Sequence, residues 1–187
     1  MEPDILALDE AYQAIERDAR NLAAGLTTAL AEWRATPESW SVAECVDHLA
    51  TANRVYLAAM TPPAARALES GRKRRAPAIP GAVGGWFVRT LEPPVKPRLK
   101  MKAPTKIRPR SSPPFTDALP AFLASQEEAR RFLRTYAAID LAGVHFPNPF
   151  IVGVRFSLAT GLHVIAAHDR RHLWQAWNVR RAAESQS

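Results

Sequence analysis

The sequence predicts an all-α fold, a four-helix bundle with one long connection. Four segments place apolar residues mostly at intervals of three and four, the spacing of one helical face. A capping-box motif begins the second segment, and a basic, proline-rich stretch, residues 71–114, separates the second from the third. Four helices of about 20 to 28 residues favour a single bundle domain, 1–187, with this stretch as an insertion.

The first predicted helix covers about 5–33 and ends before Pro37. Since its apolar residues recur with the helical period, they form one face that can pack in a core. These residues are Leu8, Tyr12, Ile15, Leu22, Leu26, Leu30 and Trp33.

The second predicted helix begins at a capping box, Ser41-Val-Ala-Glu44. In this motif the serine oxygen accepts a first-turn N–H, and the glutamate reaches back to the serine N–H. We expect the helix to end near Met60, because Pro62 and Pro63 follow and an interior proline removes a hydrogen-bond donor. A short helical turn is expected over 64–70.

Residues 71–110 carry the positive charge of the chain. The 187 residues have a formal net charge of +7. This stretch contains twelve bases and one acid, Glu92, a net charge of +11, and the remaining residues sum to −4. Nine of the sixteen prolines lie between Pro77 and Pro114, which excludes one continuous helix or a central strand. We predict an extended connection with a short helix at 84–91.

Two more helices are predicted after this connection. The third is capped by Thr116 or Asp117 and runs to about residue 138, and the fourth begins near Ser157 or Thr160 and runs to about residue 183. Between them, 150–156 is expected to form a short strand or an extended strap.

Composition excludes several classes of protein. A hydrophobic fraction of 47% and a charged fraction of 23% are ordinary for a soluble globular protein. The single cysteine permits no intramolecular disulfide, which indicates a reducing compartment, and the acidic N-terminal residues do not resemble a secretory signal. No run approaches the roughly 18 apolar residues of a membrane span. We therefore expect a cytoplasmic protein with no membrane association.

Three histidines carry the sharpest chemical signal. His168 and His172 lie four residues apart in the fourth helix, about 40° from each other around its axis, so both can bind one metal ion. His48, one turn after Glu44, can complete the site if the second and fourth helices are neighbours. Three protein ligands leave a position open for water or substrate, as in catalytic zinc sites. His163 lies about 140° from His168 and is expected to pack elsewhere.

The segments that carry these histidines resemble the two signatures of the DinB/YfiT-like superfamily. The resemblance covers the helices but not the basic stretch. It implies an up-down-down-up bundle that binds one divalent metal ion, zinc or nickel, through His48, His168 and His172. The matching segments are Ser39-Trp40-Ser41 through Glu44 to His48-Leu49, and His168-Asp-Arg-Arg-His172-Leu-Trp-Gln175.

The same resemblance implies a range of activities. Members include S-transferases that use bacillithiol or mycothiol, a mycothiol-dependent maleylpyruvate isomerase, and modules of ergothioneine-forming sulfoxide synthases. Their shared principle is that an open metal lowers the pKa of a bound thiol or water. The chain is therefore expected to activate a low-molecular-weight thiol or water for S-transfer or hydrolysis on a small molecule. Members are often dimers, so a homodimer is expected.

Two residues are weaker candidates for acid–base catalysis. Glu44 could bind a ligand histidine or act as a general base, although the capping box explains it without a function. His145, in a proline-containing loop, could approach the open metal face or lie on the surface. Asp47 and Asp169 are expected on solvated faces. Gln175 could accept a hydrogen bond from a ligand histidine or contact the first helix.

The basic stretch leaves three interpretations open. It could bind nucleic acid through phosphate contacts, hold an anionic substrate beside the metal, or wrap a partner subunit. Only Trp86 and Phe87 are clear aromatics there, and no known nucleic-acid-binding fold accompanies them. An anionic small molecule is therefore favoured over nucleic acid.

Overall fold

The computed structural model describes residues 2–94, 104 and 107–186. These residues are mostly helical, which confirms the all-α class. No helix among them combines the length and apolarity that crossing a membrane requires. The elements are α1 (Pro3–Ala23), α2 (Thr28–Glu32), α3 (Val42–Glu69), α4 (Ala82–Leu91), α5 (Phe115–Tyr136), β1 (His145–Pro147), β2 (Arg155–Ser157) and α6 (Leu158–Glu184).

The four long helices, α1, α3, α5 and α6, enclose one core. Both α1 and α3 pack against α5 and α6. Tyr12 of α1, Phe122 of α5 and Leu162 of α6 are fully buried. The Tyr12 hydroxyl donates to the Leu162 carbonyl at 2.8 Å, so the buried phenol keeps a hydrogen-bond partner.

The first helix is shorter than predicted. It ends at Ala23, and Gly25 follows with a φ of 68°, a left-handed conformation that favours glycine. A new helix, α2, begins after Thr27, whose hydroxyl accepts the Leu30 N–H at 3.3 Å. The periodic pattern therefore belongs to two helices that are separated by a turn.

The second long helix, α3, is longer than predicted and continues through Pro62 and Pro63 to Glu69. The two prolines withhold N–H groups from carbonyls one turn earlier, where the alanines are exposed or partly exposed and water can reach the turn. Beyond the prolines, Ala64 and Ala67 are buried in the core. Burial of that last turn favours continuing the helix despite the missing donors.

A hairpin joins α5 to α6. Strands β1 and β2 are antiparallel, and Phe146 lies opposite Phe156. For 150–156 the sequence predicted a short strand or an extended strap, and a strand forms only at the last two of these residues, which belong to β2. The Asn148 side-chain oxygen accepts the N–H groups of the two residues at 150 and 151, which turns the chain there.

The basic connection packs against the bundle at several described points. The predicted short helix is confirmed as α4, which packs on α6. Arg74 pairs with Asp4 at 2.6 Å, and Arg72 pairs with Asp140 at 3.3 Å. Part of the positive charge therefore faces acids of the helical body. Five bases of the stretch lie outside the described residues: Lys96, Arg98, Lys100, Lys102 and Lys106.

Candidate metal centre

The capping box at the start of α3 sets the position of His48. The Ser41 hydroxyl accepts the Glu44 N–H at 3.2 Å, and the Glu44 carboxylate accepts the Ser41 N–H at 2.9 Å, as predicted. The second carboxylate oxygen of Glu44 pairs with Arg34 at 2.8 Å. His48 follows one turn later and is buried.

Buried polar contacts fix the rotation of α6 around its axis. Asp169 accepts hydrogen bonds from Asn53 of α3 at 3.2 Å and from Gln126 of α5 at 2.7 Å. Asp169 is fully buried, so the expectation of a solvated face is wrong, and burial raises its pKa to about 8. With Asp169 turned into the core, His168 faces α3.

The three predicted metal ligands come together in the structure. One nitrogen from each of His48, His168 and His172 lies within 4.8 Å of the others. The Nε2 atoms of His48 and His168 are 3.2 Å apart. Tetrahedral zinc with Zn–N bonds of about 2.0–2.1 Å places its nitrogen ligands about 3.4 Å apart. The spacing of these nitrogens therefore fits a divalent ion held by three imidazoles.

Two hydrogen bonds orient the histidine rings. The Nδ1–H of His48 donates to the Ile107 carbonyl at 2.5 Å, and the Nδ1–H of His172 donates to the Gln175 amide oxygen at 3.0 Å. With the proton on Nδ1, each Nε2 keeps a free lone pair for a metal. The predicted contact between Gln175 and a ligand is present. The Ile107 carbonyl was not predicted, because backbone acceptors leave no sequence signal.

The surroundings keep all three rings neutral. Burial lowers the pKa of all three rings. For His168 and His172, where the lowering is larger, repulsion from neighbouring histidine rings and from Arg171 adds to the effect of burial. Neutral imidazole is the metal-binding form of histidine. Trp40 covers one side of the cluster, with its ring stacked on His172 at 5.7 Å between centroids.

The two weaker candidates for acid–base catalysis, Glu44 and His145, have other contacts in the structure. Glu44 is one turn from His48, but both of its carboxylate oxygens are engaged by Ser41 and Arg34. His145 is exposed and pairs in β1 with Ser157. Ser157 precedes His168 by eleven residues of α6, about 16 Å along the helix axis, so His145 is not brought to the cluster.

Two other side chains lie close to the ligands in sequence without joining them. His163 contacts the Ala78 carbonyl at 3.1 Å, in line with the expectation that it packs elsewhere. Cys45 is buried, and burial raises the pKa of its thiol, so it remains protonated at neutral pH.

Fold and site together define a helical-bundle protein with a three-histidine candidate metal centre. The family model of the DinB superfamily matches residues 11–176. The chain belongs to the DinB superfamily, as its two histidine segments predicted. No curated protein matches the chain. Superfamily membership and the histidine cluster together support a divalent metal ion.

Proposed function

We propose that the protein binds one zinc or nickel ion through His48, His168 and His172 and activates a thiol or a water for S-transfer or hydrolysis on a small molecule. The observation that carries this proposal is the convergence of three imidazoles, two of which have their Nε2 atoms 3.2 Å apart. A bound ion would supply a Lewis acid that lowers the pKa of the thiol or water. The homodimer expected from the superfamily belongs to the same proposal.

The surrounding residues have separable roles in this proposal. His168 and His172 are partly exposed whereas His48 is buried, so we expect a small molecule to approach the cluster from the side of α6. Trp40 packs against the rings of His48 and His172 and limits access of bulk water from its side. Arg171 brings a positive charge close enough to lower the pKa of both α6 ligands, which favours an anionic thiolate or carboxylate nearby.

We further propose the up-down-down-up topology for the bundle. Its support is the order of contacts along the helices: α6 runs with α1, whereas α3 runs against α6 and α5 runs against α1. The contacts are Tyr12 with Leu162 and Asp18 with Trp177, His48 with His172 and Asn53 with Asp169, and Asp9 with Arg134 and Glu16 with Arg130.

Metal content of the purified protein tests the central proposal. We expect about one zinc or nickel ion per wild-type chain, and loss of that ion in His48→Ala and His172→Ala. The matched control is His163→Ala, a histidine of the same helix as His172 that contacts a carbonyl instead of the cluster. Unchanged metal content in the two ligand variants would show that the site is misassigned.

Cobalt substitution separates thiol activation from water activation. The Co²⁺-loaded protein should develop a thiolate-to-cobalt charge-transfer band when a low-molecular-weight thiol is added, provided that the thiol binds the open position. Without such a band, hydrolysis through a bound water becomes the preferred reaction class.

Anion or nucleic-acid binding by residues 72–110 is the competing function. Three of these bases, Arg72, Arg74 and Arg110, already pair with acids of the body, which reduces the charge available to a polyanion. A gel shift at low salt that weakens steeply as salt rises would support it. Absence of a shift at low salt would exclude nucleic acid.

A further inference from the structure

The segment 107–110 of the basic connection is bound to α3 beside the histidine cluster. We propose that Asp47 and Arg110 form a clamp that holds the Ile107 carbonyl on His48, and that this clamp positions the His48 ring for metal binding. The inference rests on the metal site proposed above and assigns positioning residues to it.

The clamp consists of three contacts on one buried carboxylate. Asp47 Oδ2 accepts the backbone N–H of Arg110 at 2.9 Å. Asp47 Oδ1 accepts Nε of the same arginine at 2.9 Å and lies 2.8 Å from its Nη2. Asp47 is buried, whereas the arginine side chain is 60% exposed. Because one contact is to the main chain, the carboxylate fixes the path of the connection as well as a side chain.

The Asp47–Arg110 clamp and the contact between the Ile107 carbonyl and His48 together link four residues into a closed loop. Asp47 and His48 are adjacent in α3, and Ile107 and Arg110 are three residues apart in the connection. The Ile107 side chain is buried, and its carbonyl accepts the His48 Nδ1–H. Pro109, between the two attachment points, has a fixed φ and so stiffens the segment. Displacing Arg110 from α3 therefore also displaces the carbonyl from the ring.

Release of the clamp should disturb the orientation of the His48 ring and leave that of His172 unchanged. Without the Ile107 carbonyl, the His48 ring can rotate, and its proton can move from Nδ1 to Nε2, the metal-binding atom. His172 keeps its own acceptor, Gln175, which lies three residues further along α6 and is not part of the clamp. Removing the acceptor that orients a ligand typically weakens metal affinity by about 10- to 100-fold.

The test compares two buried carboxylates that both bind arginines of the connection. Asp47→Asn removes the clamp charge. The matched control, Asp140→Asn, changes an acid that pairs with Arg72 and accepts the Gly143 N–H at 3.0 Å. Asp140 lies in the segment that contacts the start of α6, away from the histidines. The two variants therefore remove similar contacts at different distances from the cluster.

Zinc affinity, measured by competition with a chelating dye, gives the first readout. We expect about 10- to 100-fold weaker binding in Asp47→Asn and a change of less than about threefold in Asp140→Asn. Equal affinity of Asp47→Asn and wild type would overturn the clamp while leaving the metal site intact. Failure of wild type to bind zinc would instead overturn the proposed function, and this inference with it.

The second readout is which nitrogen of the His48 ring carries the proton. This property would not change if Asp47 only stabilised the fold. In ¹⁵N NMR of the zinc-free protein, we expect the His48 proton on Nδ1 in wild type and shared between both nitrogens in Asp47→Asn, with His172 unchanged in both. If Asp47→Asn does not fold, Arg110→Ala, at an exposed side chain, carries the same two measurements. A His48 signal that is identical in wild type and in the folded variant would contradict the proposal.

Discussion

Gly84 of α4 and Thr160 of α6 approach so closely that a Cβ on Gly84 would lie 2.4 Å from Thr160 Oγ1 and 2.7 Å from Cγ2. The Thr160 hydroxyl is also 2.9 Å from Ser157 Oγ, so it is held at the helix cap. The connection is thus seated on the first turn of α6 through a position where a side chain does not fit.

Replacing Gly84 tests how closely α4 must pack against α6. We expect Gly84→Ala to lower the free energy of unfolding by about 1–3 kcal/mol, because the new methyl group overlaps Thr160. Gly85→Ala is the control in the same helix, since its Cβ would meet neighbours only at 3.6 Å or more and alanine favours helix. Urea unfolding measures both. Equal stability of the two variants would mean that α4 shifts freely.

The ion pair of Asp9 and Arg130 should make the free energy of unfolding depend on pH. Asp9 is buried and accepts hydrogen bonds from Arg130 Nε at 2.9 Å and Nη2 at 3.2 Å. Hydrogen bonding from Arg130 holds the pKa of Asp9 below its usual value. We expect Asp9→Asn to cost about 2–3 kcal/mol of unfolding free energy at pH 7.

The sign of the pH effect follows from that lowered pKa. The folded state binds the Asp9 proton less readily than the unfolded state, so the stabilisation is complete above a pH of about 5 and is lost as the pH falls through the folded pKa. The stability difference between wild type and Asp9→Asn should therefore shrink between about pH 5 and pH 2. A difference that stays constant over this range would show that the ion pair contributes nothing. Glu10→Gln, at an exposed acid of α1, serves as the control.

Replacing Gln175 by leucine should weaken metal binding, because its side-chain oxygen provides the second of the two hydrogen bonds that orient the histidine rings. Loss of the amide oxygen leaves His172 Nδ1 without its acceptor, and we expect zinc affinity to fall by about tenfold or more. Gln175→Glu, which restores an acceptor oxygen, should recover it. The control is Asn178→Leu, which removes a surface amide one turn further along α6 that binds Arg181. Affinities come from the same dye competition.

Cys45 should be inert in the folded protein. Its thiol is buried, and burial raises its pKa, so little thiolate forms at neutral pH. We expect no alkylation by iodoacetamide in native buffer and complete alkylation in urea, read by mass spectrometry. Val152→Cys, at a fully exposed position, should be alkylated in native buffer and so controls for reagent activity. Rapid native labelling of Cys45 would reveal local opening of α3.

Local patterns predicted which histidines share one face of α6 and where α3 begins. The spacing of His168 and His172 fixes their angle on one helix, and the capping box at Ser41 depends on residues only three apart. The end of α3 was mispredicted for a physical reason. The proline rule describes local backbone bonding, whereas burial of Ala64 and Ala67, which depends on the assembled bundle, favours the longer helix.

The supporting contacts of the site could not be predicted from spacing. Asp169 is buried because amides from α3 and α5 meet it, and its charge alone suggested a solvated position. Asp47, also expected on a solvated face, is instead buried and is bound by Arg110, 63 residues away in the sequence. Such contacts form between segments whose relative placement emerges only from the packed fold.

The hairpin between α5 and α6 has a practical consequence. Its tip carries the fully exposed Val152 and the left-handed Gly153, and about 16 Å of α6 separate its last strand from His168. A purification tag or a surface linker attached at this tip would anchor the molecule in a known orientation. Immobilised in that way, the protein would present its histidine cluster away from the support for direct measurements of metal exchange.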